Sequence, residues 1–276
     1  MISNSTISDS GSPTALITGA SSGIGRSVAL ELATRGYRLI LAARRTDELE
    51  ALRAEIEEAG GTALVVRCDV TQAPEVRALV DRSVDAWGRL DAVVHSAGVE
   101  FVGDVLSVGE REWRECIDIN LTAAYLVAHH TVPHLLAQPS SAFVAIGSDS
   151  SVHGAQGYTP YAVAKHGVIG LVRCMAVDYG HRGLRTNAVC PTNVETPMID
   201  RIYAGVADDE RRFWEHSLPM MRFARAQEVA KAVAHLVGPE SSYTNGMVYN
   251  LDGGSTSGYF YPHVALETDY PRVPSK

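Results

Sequence analysis

The chain has 276 residues, 46% of them apolar and 20% charged, enough to bury one large α/β core. Acidic side chains outnumber basic ones 32 to 24, and with a formal charge of -8 and no basic stripe a nucleic-acid partner is excluded. No apolar run reaches bilayer-spanning length and the four cysteines form no CxxC pair, so membrane insertion, a bound metal and a disulfide scaffold are not expected.

Residues 1–12 are Ser-rich, with neither a basic n-region nor an apolar h-region, so they read as a disordered segment of a cytoplasmic protein and not as a signal peptide. From Thr14 onward short apolar runs alternate with amphipathic stretches. Strand Thr14–Thr18 leads to helix Ile24–Arg35, strand Arg38–Ala43 to helix Asp47–Ala59, and strand Ala63–Arg67 to helix Ala73–Trp87. Strand Ala92–His95 precedes a long helix around Trp113–Leu136; strand Ala142–Ile146 precedes helix Pro160–Tyr179. Strand Arg185–Val189, helix Ala226–Val237 and strand Met247–Leu251 complete the series. This order predicts a doubly wound, seven-stranded parallel sheet, one Rossmann-like domain over 13–255. The long segment 191–221 reads as a substrate lid, and 256–276 as a C-terminal aromatic tail with Tyr259, Phe260, Tyr261 and Tyr270.

Between the first strand and first helix stands Thr18-Gly19-Ala20-Ser21-Ser22-Gly23-Ile24-Gly25. Glycines allow a sharp turn and a close backbone approach to a pyrophosphate, toward which the helix directs its unpaired N–H groups. A carboxylate at the end of the second strand would bind the ribose hydroxyls of NAD; here Ala43 is followed by Arg44 and Arg45. A guanidinium can grip a 2′-phosphate, so the reading is NADP(H), with NAD(H) left open. The plainer alternative is that both arginines are solvated residues leading into a charged helix, and Ser22, being neutral, favours neither cofactor.

Tyr161 and Lys165 stand four residues apart, on one face of a predicted helix. Hydride transfer to a carbonyl leaves an alkoxide that must take a proton, and a phenol whose pKa is lowered by an ammonium and a cationic nicotinamide can serve in both directions. Ser148 follows the strand Ala142–Ile146, where its hydroxyl could hold a substrate oxygen, although Ser150 and Ser151 are rivals by position alone. Asn120, inside an apolar helix, either caps a kink or serves a site.

Together these residues resemble the short-chain dehydrogenase/reductase family, over roughly Thr14 to Gly254, and its compact oxidoreductase branch. Thr18, Gly19, Gly23 and Gly25 match its glycine turn; Ser148, Tyr161 and Lys165 match its catalytic set, the thirteen-residue Ser–Tyr separation favouring Ser148. The resemblance implies that Asn120 holds a water of a proton relay and that Asp69-Val70 contact the adenine. It further implies cofactor contacts at Gly19, Ser21, Ser22, Gly23, Ile24, Gly25, Ser96, Ala97, Gly98, Pro191, Val194 and Thr196, with Lys165 on the nicotinamide ribose. Asp252-Gly253-Gly254 matches the closing strand signature. Two departures stand out: His95-Ser96 where the family has two asparagines, and Thr192 where it has a glycine.

The activity implied is NADP-dependent interconversion of a carbonyl and a secondary alcohol. Met198, Ile202, Phe213, Trp214 and Met221 suggest an apolar or aromatic substrate, while His153, Gln156 and Tyr158 could orient its polar groups, and Glu100 and Phe101 are further candidates for contact with it. Half of the apolar set would serve equally by packing on the sheet. Alternatives are reduction of a 3-oxoacyl thioester on a carrier, or a non-catalytic NADP-sensing regulator. As in relatives, the apolar helices around Trp113–Leu136 and Pro160–Tyr179 are expected to build a homodimer, and Ala226–Val237 with the last strand a homotetramer.

Overall fold

A computed structural model describes residues 11–205 and 207–261. The expectations for residues 1–10 and for the tail from 262, Tyr270 included, lie outside the described residues.

Seven strands line up in parallel, and the inner ones β1, β4 and β5 are near-continuous apolar runs because helices cover both faces. They are β1 (Thr14–Thr18), β2 (Arg38–Ala43), β3 (Thr62–Arg67), β4 (Ala92–His95), β5 (Ser141–Ile146), β6 (Leu184–Pro191) and, last in the chain, β9 (Val248–Leu251). Their order is β3-β2-β1-β4-β5-β6-β9. The chain therefore winds outward first to one side of β1 and then to the other, opening a crevice between the ends of β1 and β4.

Helices α1 (Gly23–Thr34) and α2 (Thr46–Glu58) cover one face; α3 (Ala73–Trp87) lies on the other. Gly88, at φ +71°, ends α3 in the left-handed conformation that glycine adopts at no steric cost. The expected single helix Trp113–Leu136 is instead broken. Helix α4 (Glu110–Ile117) passes through a π-helical turn at Asp118–Thr122 into α5 (Ala123–Leu135). The turn accommodates Asn120, whose amide group donates to the Cys116 carbonyl at 3.1 Å while its Oδ1 accepts from the Val99 backbone N–H at 3.2 Å.

Helix α6 (Thr159–Tyr179) packs beside α5. The segment after β6 contains a small parallel ladder that sequence periodicity does not reveal: β7 (Val194–Glu195) pairs with β8 (Ala224–Arg225). Between them lie α7 (Pro197–Ile202) and α8 (Asp208–His216), and Ile199, Leu218 and Phe223 form a small core of their own. Helix α9 (Ala226–Val237) returns to pack on α1. Its C-terminal carbonyls are gathered by the buried Arg185 of β6, whose guanidinium donates to Leu236 at 2.6 Å, Val237 at 3.0 Å and Gly238 at 3.1 Å.

Candidate active site

A cleft of about 1570 Å³ lies at the carboxyl ends of the central strands. Every residue singled out in the sequence as a site candidate borders it, except Thr18, Gly25, Phe101, Ser151, Phe213 and Met221. Gly25 serves from beneath: a side chain there would collide with the Gly19 carbonyl, so it lets α1 sit tightly on the turn.

At one end the turn is pressed against the sheet. Gly19 has φ +70°, and a Cβ on it would stand 2.8 Å from the Ala97 nitrogen. Helix α1 begins at Gly23 with no acidic residue in its first turn and no side-chain cap from Ser22, so its N–H groups and dipole face the cleft uncompensated. Arg45 lies over this turn, donating to the hydroxyls of Ser21 at 3.0 Å and Ser22 at 2.7 Å, with Glu48 3.4 Å away. Arg45 is thus tied to the turn, contrary to the plainer reading of a freely solvated residue, and Ser22 contributes to the site. Burial pushes the Asp69 carboxyl up, but hydrogen bonds from Thr71 and the charges of Arg44 and Arg67 outweigh it and hold the group below the usual carboxylate range.

These features fit a dinucleotide bearing a 2′-phosphate: a backbone cradle that a Cβ would fill, an open helix N-terminus, Arg45 beside two hydroxyls, and Arg44 bordering the same cleft. Thr196 closes over Gly23, a Cβ there lying 3.2 Å from the threonine methyl, while its hydroxyl donates to the Val194 carbonyl at 3.0 Å. Among the described residues no cluster of His, Cys, Asp and Glu is arranged to hold a metal ion.

At the other end Ser148, Tyr161, Lys165 and Asn120 converge. Ser148 caps a short 3-10 turn, Asp149–Ser151. Its hydroxyl accepts from the Ser150 N–H at 3.2 Å and donates to Asp149 Oδ1 at 2.9 Å, and it borders the cleft together with the Tyr161 phenol, whose phenolate form it favours. Ser151 Oγ instead accepts from the Ser148 N–H at 3.0 Å, and Ser150 Oγ turns to Asp149, which separates Ser148 from its rivals. The Lys165 ammonium donates to the Ile146 carbonyl at 3.0 Å and sits 5.6 Å from the centre of the Tyr161 ring. Gly98 is where these parts meet, since a Cβ on it would stand 2.9 Å from Asn120 Oδ1 and 3.4 Å from Lys165 Nζ.

The electrostatics differ from the expectation that the lysine makes the phenol acidic. With the chain's own groups alone, burial dominates and pushes Tyr161 upward; the Ser148 hydroxyl draws it back, while Asp149 and Glu100 raise it further. Burial also lowers Lys165 to about 8. A weakly solvated ammonium over the ring face does not offset the loss of water around a phenolate.

In the substrate-facing part, Met198 and Trp214 form an apolar wall with Ile202 and Leu218. His153 borders the cleft; its Nδ1 is bonded to the Gly154 carbonyl at 2.8 Å, whereas its Nε2, 3.7 Å from Asp149 Oδ2, has no hydrogen-bond partner among the described residues. Asp149 was not visible from the sequence, where only its place directly after Ser148 hinted at a role. Tyr158 stacks edge-on to Tyr161 with centroids 6.5 Å apart and is hydrogen-bonded to Glu100. Thr192, one of the family departures, borders the cleft without closing it.

The family described as Enoyl-(Acyl carrier protein) reductase matches residues 19–256. The chain is 32% identical over 239 residues to the 3-oxoacyl-(acyl-carrier-protein) reductase of Thermotoga maritima, covering 87% of this chain and 96% of the relative. It is 36% identical over 244 residues to the cis-4-hydroxycyclohexanecarboxylate dehydrogenase of Sinomonas cyclohexanicum, covering 88% and 96%. Among solved structures, a variant of actinorhodin polyketide ketoreductase with NADPH superposes with a TM-score of 0.85 at 32% identity, covering 89% of this chain and 98% of that one.

Proposed function

This chain belongs to the short-chain dehydrogenase/reductase family, and from that premise we propose that it is an NADP-dependent oxidoreductase interconverting a ketone and a secondary alcohol on an apolar or aromatic small molecule. One observation carries the reading: a phenol, a serine hydroxyl and an ammonium over the phenol ring meet in a cleft that begins at a glycine turn. Bound nicotinamide dinucleotide supplies or takes the hydride and, when oxidised, adds a positive charge beside the phenol.

Tyr161 gives its proton to the substrate oxygen in reduction and removes it in oxidation. Because burial keeps the phenol protonated, the chain by itself is set for the acid role. Ser148 holds the substrate oxygen by exchanging its Asp149 bond for one to the substrate. Lys165, anchored by the Ile146 carbonyl, binds the nicotinamide ribose and returns the proton to Tyr161. Asn120, at the π-helical turn, keeps a hydrated path from Lys165 to solvent. Arg44, Arg45, Ser21 and Ser22 take the 2′-phosphate, with NAD(H) as the weaker cofactor. Asp69 and Val70 face the adenine, and Ser96, Ala97, Gly98, Pro191, Val194 and Thr196 line the remaining path.

The cyclohexane-ring relative and the apolar wall of Met198 and Trp214 support a ring-bearing substrate. The Thermotoga relative supports a second reading, reduction of a 3-oxoacyl thioester, though the net charge of -8 gives an acidic carrier little to dock on. A purely NADP-sensing protein would have no use for the Ser–Tyr–Lys–Asn arrangement. Among the described residues no helix is long and apolar enough to cross a membrane. We propose a cytoplasmic homotetramer or homodimer, supported by free cysteines and by the exposed Tyr125 and Val163 on α5 and α6.

Replacing Tyr161 by Phe tests the reading. Turnover of a ketone panel with NADPH should fall by about 100-fold to 10,000-fold, while NADPH binding, followed by its fluorescence, persists. Undiminished turnover in that variant overturns the mechanism.

A further inference from the structure

Five residues beyond the end of β4, Glu100 borders the same cleft as Tyr161, and among the described residues it makes no ion pair within 4.0 Å. The Tyr158 hydroxyl bonds to it, and the Tyr158 ring stands edge-on to Tyr161, their planes at 66°. One aromatic ring thus separates this carboxylate from the reacting phenol. A carboxylate offers about four acceptor positions, and Tyr158 occupies one. Across the cleft the lid supplies Met198, Ile202 and Trp214, which are apolar.

From this juxtaposition we infer that Glu100 is a specificity-determining residue: the substrate is an alcohol or ketone with an apolar body and a second hydrogen-bond donor, an ammonium or a hydroxyl, set against the Glu100 carboxylate. The inference rests on the carbonyl–alcohol reading above and names its substrate class.

Sign and solvation both lead there. Burial pushes the Glu100 carboxyl above its usual range, against the pull of Tyr158 and of Arg201 on α7. A half-buried carboxylate of this kind is relieved by a donor and most by a cation, whereas a substrate carboxylate in the same place would meet like charge from Glu100 and from nearby Asp149. Arg201 is exposed and makes no bond to Glu100, so it leaves the acceptor positions open.

The test uses the full-length enzyme with NADP and three alcohols: cyclohexanol, trans-4-aminocyclohexanol and cis-4-hydroxycyclohexanecarboxylate. The wild-type enzyme should prefer the amine to the carboxylate in kcat/KM by at least about tenfold, the difference residing in KM. Glu100→Gln should reduce that ratio by about tenfold, with NADPH binding as the check that the variant is folded. Tyr158→Phe, which leaves the carboxylate in place, should retain the preference. A wild-type preference for the carboxylate, or a ratio that Glu100→Gln does not move, overturns the inference. If none of the three turns over while other ketones do, the inference falls and the carbonyl–alcohol reading stands. If no carbonyl at all is reduced, that reading falls as well.

Discussion

His95 Nδ1 lies 3.0 Å from the Thr18 hydroxyl oxygen, and this contact fixes which ring nitrogen carries the proton. Thr18 Oγ1 already accepts from the backbone N–H groups of Ser96 and Ala97, each at 3.3 Å, so its own proton goes to Nδ1. The imidazole proton then resides on Nε2, which is buried and has no partner among the described residues. The histidine thus links the glycine turn to β4 through one ring nitrogen.

That arrangement predicts acid sensitivity. Burial, with Lys165 adding to it, holds His95 at about 3, against an ordinary value of 6.5. As pH falls from 6.5 toward 3, the unfolded chain takes up a proton that the folded chain refuses, so stability declines by up to ~1.4 kcal/mol per pH unit. His95→Asn should flatten this limb. Urea denaturation at pH 7.5 and at pH 5 measures it, and equal slopes in both proteins would refute the assignment.

Cofactor preference should follow Arg45. Its two hydroxyl partners make a pocket for a phosphate at the rim of the glycine turn. Arg45→Ala should raise KM for NADPH by about 10-fold to 100-fold, the range of a lost charged hydrogen bond, with a much smaller effect on NADH. Parallel changes for both cofactors would show that the residue only supports the turn.

Gly98 tolerates no side chain. A methyl group there would crowd Asn120 Oδ1 at 2.9 Å and approach Lys165 Nζ at 3.4 Å. Gly98→Ala should lower kcat by about 100-fold or more by displacing the lysine, while far-ultraviolet dichroism stays unchanged. Retention of full activity would mean that neither group needs its present place.

A structural rather than chemical role falls to Arg185. Its guanidinium is 8% exposed and satisfies the carbonyls of Leu236, Val237, Gly238 and Ser241 at the end of α9. Arg185→Leu strands these acceptors and should destabilise the fold by about 3 kcal/mol or more. Arg185→Lys should recover only part of it, because an ammonium cannot reach carbonyls spread along a fork. Thermal denaturation of both variants measures the effect.

Much of this was legible in the residues. The inner strands stand out because both faces are covered: Thr14–Thr18, Arg38–Ala43 and Ala92–His95 fall on the residues expected, and β9 begins one residue late, at Val248. The glycine turn and the Tyr161–Lys165 pair were legible because spacing along one element dictates their geometry. What escaped depends on contacts between distant segments. Asn120 announced an irregularity, but its bond to Val99, which lies in another loop beside the π-helical turn, could not be read from spacing. Arg185 reads as an odd charge in a strand until α9 is brought against it. The raised pKa of Tyr161 reflects desolvation, which depends on the whole cleft and not on the neighbouring lysine.

The two-residue ladder of β7 and β8 holds both ends of the lid in register, and the lid carries its own small hydrophobic centre between them. The segment is therefore a cassette: its length and side chains can be exchanged with little strain passed to the parallel sheet. Replacing residues 197–223 by the corresponding stretch of a relative would exchange the apolar wall of the cleft while leaving Glu100, the glycine turn and the Ser148, Tyr161 and Lys165 side chains with the scaffold.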